Sequence, residues 1–586
     1  MCGISGVSLP KGQQAKPAHL QPLGAALAHR GPDGEGIWYS GTLGLAHRRL
    51  SIIDVGGGRQ PLVSQLQAHQ NAAVVNGEIY NYKALQTQVQ AAGFTLKTAS
   101  DSEPPLHLYA LHGEAMPETL EGMYALAVAD GAAETLLLAV DPFGIKPLYY
   151  CQTNVGFAFA SEPRALAAAG WVRREPNVAV LPMLLNRHYS VGAATLWQGI
   201  QRLVPGERLL VKHGVVVKRW RVFPPLHAAH AGAEASQFPA QLEAAVARHL
   251  QADVPYGLLL SGGLDSTALA VMMRRLGAPV HAFTARIMVK NGPNEADIAA
   301  AVCQKLGAQH TVVEYGAADF WSGLVQLANA MDDLATDYAA LPLLKLTATA
   351  RKHVKILLSG EGGDETLAGY SAYRKHPSWL KALLARWKAN RVGDAAPYAA
   401  LFRTAVTTPP FPPEGWDKDA FTPLQRRQST DIANWLPADL LLKLDRTTMH
   451  NGIEGRVPYL DSHLAAFSFA LPDAAKVNET FGKLPLRQFL AAEGFPELAW
   501  ARKQGFSVAV GEFLGQNPQA LARLWGQSPL LGTLLKPEAA PTLLGQLKHP
   551  KAANLAFSLT VLALWEAIHV RQVAPAELRA ALTSHA

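Results

Sequence analysis

A cysteine stands at position 2 of this 586-residue chain, and it is small enough for an aminopeptidase to remove Met1 and leave a free α-amine on it. With a reference pKa of about 8, that amine can act as base for its own thiol, so one residue supplies both nucleophile and base. Met-Cys alone also describes an ordinary terminus. Further along stand Arg49, Asn76-Gly77-Glu78 and Asp101. Read chemically, they offer what a glutamine pocket requires. Arg49 matches an α-carboxylate, Glu78 and Asp101 match an α-ammonium, and Asn76 with the Gly77 N–H matches an oxyanion. Each has a plainer reading: Asn-Gly as a hairpin turn, Arg49 as a surface cation, Asp101 as a helix cap.

A second set lies 160 residues and more downstream. Ser261-Gly262-Gly263-Leu264-Asp265-Ser266 follows Leu258-Leu259-Leu260, and Ser359-Gly360-Glu361-Gly362-Gly363-Asp364-Glu365 follows Ile356-Leu357-Leu358. Both read as a buried strand ending in a glycine loop. The first opens a helix, so its backbone N–H groups and helix N-terminus suit a phosphate. No lysine precedes its Ser/Thr. Asp265 stands there instead, which points to a Mg²⁺-bound pyrophosphate, and Asp364 could supply a further oxygen ligand to the same ion. Three carboxylates within five residues repel one another unless a cation or cationic substrate lies between them. Lys443, Asp445, Arg446, His450, Glu454, Arg456 and Asp461, then Lys483 and Arg487, then Arg502-Lys503-Gln504-Gly505-Phe506, mix charges that could neutralise phosphates, place an acceptor carboxylate, or form structural ion pairs.

Positioning these residues takes two kinds of scaffold. Leu45–Ile52, Gly122–Asp130, Leu136–Tyr150 and Phe157–Glu162 are short apolar runs broken by Gly, Asp and Pro, consecutive strands of a layered sheet. Asp141 and Lys146 read as a satisfied turn. From Pro224 to Glu234 periodicity gives way to Pro, His, Ala and Gly, a linker. Phe238–Leu250 resumes a helical pattern, Val280–Ala285 reads as a second parallel strand, and Asn294-Glu295-Ala296-Asp297 opens a helix running to Gly307, with Cys303 packed inside. Met331–Tyr338 is acidic and leads a long helix that it partly caps. The second domain is α/β at its start and mostly helical later.

Composition sets limits. Apolar residues make up 49% and charged residues 17%, the balance of a globular chain too long for one core. The net charge of +7 is spread without a dense basic run beyond Val172-Arg173-Arg174 and Gln425-Arg426-Arg427, so no nucleic-acid partner is expected. Three cysteines cannot build a disulfide framework, and neither a signal peptide nor an 18-residue apolar run stands out, so a cytoplasmic protein with no membrane partner is expected. A homodimer is compatible with the sequence but not read from it.

In combination the Cys2, Arg49, Asn76-Gly77-Glu78 and Asp101 pieces resemble, in order and spacing, a class II glutamine amidotransferase domain with an N-terminal-nucleophile hydrolase fold. The Ser261–Ser266 string resembles the PP-loop of ATP pyrophosphatases. Together with Gly452-Ile453-Glu454-Gly455-Arg456-Val457-Pro458-Tyr459-Leu460-Asp461, the chain resembles the glutamine-hydrolysing asparagine synthetase family over roughly residues 2 to 510. The resemblance implies a glutaminase domain at 2–223, a linker at 224–234 and a PP-loop synthetase domain at 235–586. It implies that Cys2 is the nucleophile; that Arg49, Asn76, Glu78 and Asp101 hold glutamine; and that Asn76 and Gly77 form the oxyanion hole. Leu259, Ser261, Gly262, Gly263, Asp265, Ser266, Ala285, Ser359 and Gly360 would bind ATP, with Asp265 and Asp364 on Mg²⁺. Glu361 and Lys483 would serve adenylate chemistry. Glutamine, ATP and a carboxylate acceptor, aspartate first, are the expected substrates, and an apolar passage would carry ammonia between sites. Three stretches depart from the family pattern: Pro104-Pro105, Asp332–Leu346 and Thr366-Leu367-Ala368-Gly369-Tyr370. They leave room for a sugar acid or peptide as acceptor. A non-catalytic regulatory protein on this scaffold, or a phosphotransferase yielding ADP, are the readings from other classes.

Overall fold

The computed structural model describes residues 2–66, 69–288, 295–374, 393–406, 411, 416, 418–502 and 509–583; Met1, Asn294 and the Lys503–Phe506 string lie outside them. The first half contributes strands β1 Gly3–Ser8, β2 Gly34–Ser40, β3 Leu43–Arg49, β4 Leu62–Leu66, β5 His69–Ile79 and β6 Gly122–Asp130. It continues with β7 Thr135–Val140, β8 Tyr149–Thr153, β9 Gly156–Ala160, β10 Gln201–Arg202, β11 Glu207–Lys212 and β12 Val215–Arg221. They form two antiparallel sheets, ordered β10-β8-β9-β1-β3-β2 and β12-β11-β7-β6-β5-β4.

Alternation explains the layering. Along β6 and β7, Ala125, Ala127, Leu136, Leu138 and Val140 pack inward against Ile4, Leu45, Phe157 and Phe159 of the facing sheet. Tyr124, Leu126, Val128, Leu137 and Ala139 point the other way, onto helices Tyr82–Ala91 and Pro104–His112. Side chains two residues apart share a face, so nearly all-apolar strands are buried on both sides. Pro104-Pro105 occupies the first turn of its helix, where the missing N–H costs nothing. Helices Pro17–Ala26 and Pro163–Ala168 cover the other sheet through Leu20, Leu23 and Leu166, which gives a helix-sheet-sheet-helix sandwich.

The second half carries β13 Tyr256–Leu259, β14 His281–Ile287, β15 Gln309–Tyr315, β16 Ile356–Leu358 and β17 Glu454–Arg456. They form a wholly parallel sheet ordered β15-β14-β13-β16-β17. The chain winds outward from β13 through β14 to β15, then returns to the other side of β13. Helices follow to the end of the described residues, so the chain shows the expected α/β and α+β succession. One expectation is corrected. The segment Pro550–Val570 is long and apolar enough to cross a membrane, though no such run stood out in the sequence; 83% of its most apolar window is buried inside the protein. The acidic stretch divides: Asp332 and Asp333 are fully buried in ion pairs, while Asp337 accepts from the Ala339 N–H just before the helix.

Candidate active sites

Cys2 enters β1 from a buried position, its N–H donating to Asn76 Oδ1 at 2.9 Å and its carbonyl accepting from Arg30 Nε at 3.1 Å. Burial pushes the thiol above its ordinary pKa, so a base is needed to ionise it. The Asn76 Nδ2 donor is buried with no partner among the described residues, a polar group that wants an acceptor beside the thiol. Gly77 follows at φ 148°, and a Cβ there would overlap the Met123 carbonyl of β6, so only glycine lets β5 turn in here.

Glu78 and Asp101 lie behind them, both buried. Burial raises both carboxyls, Glu78 well above its ordinary range, with Glu454 adding to each and Arg456 opposing. Such a pocket favours a cation. Asp101 accepts from the Ile79 N–H at 2.9 Å and from the hydroxyls of Ser100 and Ser102 at 3.3 Å. Arg49 donates to the carbonyls of Val55 at 3.0 Å, Ile53 at 3.3 Å and Asp54 at 2.6 Å, which folds the 53–55 loop around its guanidinium. The structure thus brings Cys2, Asn76, Gly77, Glu78 and Asp101 to one end of β1 and β5, with Arg49 at the end of β3.

The second site forms at the carboxyl ends of β13 and β16, on either side of the point where strand order reverses, which is where open parallel sheets bind ligands. Gly263 caps helix Leu264–Arg275. Ser261 Oγ lies 3.2 Å from Ser266 Oγ and accepts from the Gly263 N–H, so the loop is tied back on itself. Gly262 has φ 74° and lies so close to Ile298 that a side chain would not fit. Thr284 of β14 donates to the Leu260 carbonyl at 2.6 Å and so fixes the strand end that carries Leu259 and Ala285. A Cβ on Gly360 would sit 2.8 Å from that of Asp265, so the two glycine loops touch.

Asp265 and Asp364, one from each loop, converge on a single cation. Lys483 Nζ lies 2.5 and 2.6 Å from the Asp265 oxygens and 2.8 Å from Asp364 Oδ1. Burial disfavours the ammonium, but the two carboxylates raise it well above its ordinary value. Lys483 itself adopts the left-handed conformation, φ 57°, at the start of helix Leu484–Ala492, and its N–H donates to the Leu367 carbonyl. Two hard oxygen donors on one positive centre fit a Mg²⁺ ion that takes its other ligands from phosphates and water. Among the described residues no cluster of three or more His, Cys, Asp or Glu could hold a metal by itself. Beside them, burial raises Glu361, and Lys443 Nζ lies 3.9 Å from it and 2.7 Å from Asp337. Glu365 is pushed up to about 8 by burial and by Asp364 beside it, and it accepts from the Tyr370 hydroxyl at 2.6 Å, which opposes that rise.

Several contacts had no signature in the sequence. Arg30, fully buried, binds Glu162 Oε1 at 2.9 Å and both oxygens of Asp445 at 2.9 and 3.0 Å while holding the Cys2 carbonyl. Arg446 continues the network to Asp332 at 3.0 Å. Lys146 donates to the Gly455 carbonyl, and Arg456 Nη2 faces Glu78 at 3.2 Å. Asp141 accepts from the N–H groups of Phe143, Ile145 and Lys146, a satisfied turn. Between the sites, Tyr80, Met123, Phe143 and Ile145 pack with Leu436, Leu440, Leu444, Val457 and Leu460 in one apolar cluster, with Leu259 against it.

Two family models match the chain, asparagine synthase over residues 237–569 and glutamine amidotransferase domain over residues 1–221. Asparagine synthetase [glutamine-hydrolyzing] 1 of Bacillus subtilis is 29% identical over 633 residues, covering 99% of this chain and 98% of its own. Asparagine synthetase B [glutamine-hydrolyzing] of Escherichia coli is 30% identical over 515 residues, covering 83% and 78%. A solved glutamine phosphoribosylpyrophosphate amidotransferase of B. subtilis aligns with 48% of this chain and 65% of its own at 18% identity, TM-score 0.29. The chain belongs to the asparagine synthase family, as a ligase with an amino-terminal glutamine amidotransferase domain.

Proposed function

We propose that this enzyme converts aspartate to asparagine, drawing nitrogen from glutamine hydrolysed at Cys2 and activating the acceptor with ATP. The observation that carries this reading is the convergence of Asp265 and Asp364 on one cation at the strand-order reversal, in the same chain as the buried Cys2–Asn76 pair. With Met1 removed, the Cys2 α-amine takes the thiol proton and sulfur attacks the glutamine side-chain carbonyl. The oxyanion meets the Asn76 amide and the Gly77 N–H, the C–N bond breaks, and protonated nitrogen leaves as ammonia. Water then cleaves the thioester to glutamate. Glu78 and Asp101 hold the α-ammonium and Arg49 the α-carboxylate.

At the second site an acceptor carboxylate oxygen attacks the α-phosphorus of ATP, and the bond to pyrophosphate breaks. Ammonia then attacks the acyl carbon, AMP leaves, and the amide nitrogen loses a proton. Ser261, Gly262, Gly263 and Ser266 cradle phosphates, while Leu259, Ala285, Ser359 and Gly360 line the nucleotide. Asp265 and Asp364 would hold Mg²⁺, which would screen phosphate charge. Lys483 orients the two aspartates and neutralises oxygen charge, and the Glu361 carboxylate, its proton affinity raised by burial, takes the proton that the nitrogen loses in aminolysis. The apolar cluster from Met123 to Leu444 supports a dry path on which ammonia stays neutral.

Supplying aspartate, glutamine and ATP should yield asparagine, AMP and pyrophosphate; ADP, or no asparagine, would overturn the reading. An acceptor other than aspartate is favoured by one contact: Lys443, the cation beside Glu361, is already bound to Asp337. Turnover to AMP only with another acid from a panel of sugar acids and peptides would select that alternative.

A further inference from the structure

The glutamine pocket is not built from the amino-terminal half alone. Arg456, the last residue of β17 in the parallel sheet, is fully buried, and its Nη2 faces Glu78 Oε1 at 3.2 Å. Its Nε donates to Glu454 at 2.6 Å, and its Nη1 donates to the carbonyls of His249 and Gln251 at 2.7 and 2.8 Å. The guanidinium is thus held by four groups, and one of them is a carboxylate expected to receive substrate. The backbone of the same residue reaches the other site. The Arg456 carbonyl accepts from the Ser359 N–H at 2.8 Å, and Leu358 and Arg456 are register partners across β16 and β17. Ser359 opens the loop that carries Gly360, Glu361 and Asp364.

We propose that Arg456 is a positioning residue that couples the two sites: occupation of the glutamine pocket shifts its guanidinium, and its backbone passes the shift to the Ser359–Asp364 loop. A substrate ammonium at Glu78 sets a second cation against the carboxylate that Arg456 faces, so attraction between the two falls. Glu454 and the two carbonyls then take a larger share of the guanidinium. β17 is three residues long, leaving little slack between this side chain and the Ser359 hydrogen bond. Linkage makes the effect reciprocal: ATP on the loop must change glutamine affinity by the same factor that glutamine changes ATP affinity.

The assignment of the pocket to glutamine rests on the reading above, but the test requires no acceptor and no turnover. Full-length Cys2→Ala protein binds glutamine without cleaving it, and its affinity is measured by calorimetry with and without saturating ATP and Mg²⁺. We expect the dissociation constant to move at least about fivefold with nucleotide, the lower end of ordinary coupling, and less than twofold once Arg456→Lys is added. Loss of glutamine binding in the double variant, with nucleotide binding kept, shows only that a side chain of the parallel sheet completes the pocket, and the nucleotide shift in Cys2→Ala alone then decides the coupling. An equal shift in both proteins overturns it. If Arg456→Lys does not fold, Cys2→Ala alone decides, and an affinity indifferent to nucleotide rejects the coupling. A wrong acceptor leaves every one of these readings unchanged, so the two hypotheses fail separately.

Discussion

At the scale of single residues, the Asn76 side chain has two ends with different tasks. Its oxygen fixes the Cys2 N–H and its nitrogen faces no acceptor among the described residues, so truncation removes both an orienting bond and an oxyanion donor. Asn76→Ala should lower kcat for glutamine hydrolysis by about 10²- to 10³-fold, the cost of one such donor, and leave synthesis from added ammonium near the parent rate. Equal losses in both assays would remove Asn76 from the oxyanion role. The protonated resting thiol sets a pH dependence as well. The base must be unprotonated to act, so kcat/KM for glutamine should rise with pH along a limb near the α-amine value of about 8. A flat profile from pH 6 to 9 would assign proton removal elsewhere.

At the scale of elements, two strand-loop-helix units work because their glycines let polypeptide segments touch. Gly369 shows the constraint most plainly. A Cβ there would overlap an Asp364 carboxylate oxygen and the Lys483 Cε, although the glycine's own backbone is ordinary. Gly369→Ala should therefore push Lys483 from between the aspartates and cut ammonia-dependent synthesis at least about tenfold, with glutamine hydrolysis little changed. Synthesis at the parent rate would show that this cradle does not set activity. The stretch Thr366–Tyr370, which departs from the family pattern, still supplies that glycine, and it turns Tyr370 onto Glu365.

At the scale of the whole molecule, the halves are joined by charge as well as by the apolar cluster. Arg30, Glu162, Asp445, Arg446 and Asp332 form a buried network across the junction. Removing one partner strands the others, which typically costs about 3–5 kcal/mol. Asp445→Asn should lower the melting temperature by several degrees at neutral pH. Burial opposes ionisation of Asp445 and Glu162, yet arginines prevail at Asp445, and His29 with Arg164 and Arg446 prevails at Glu162, holding both below their ordinary values. Folded-state pKa values below the unfolded ones mean that this stabilisation is complete above about pH 4.5 and fades as pH falls further. The deficit of the variant should shrink between pH 5 and pH 3 in thermal melts. A deficit independent of pH would assign it to packing.

The sequence by itself determined the chemistry-bearing strings and the elements beside them. Short apolar runs, glycine loops and a cysteine at position 2 are local patterns, and local sterics and hydrogen bonding act over a few residues. It also determined the turn at Asp141, where three of the carboxylate's N–H donors lie within five positions. Only the tertiary structure decided which charges meet. Arg30 and Asp445 are 415 residues apart, Lys483 and Asp265 are 218 apart, and nothing in a one-dimensional pattern records that distance closing. For the same reason Asp332 and Asp333 read as part of an acidic stretch leading a helix and Arg456 as one charge among many. A buried ionic group is identified by its partner, and its partner is chosen by the fold.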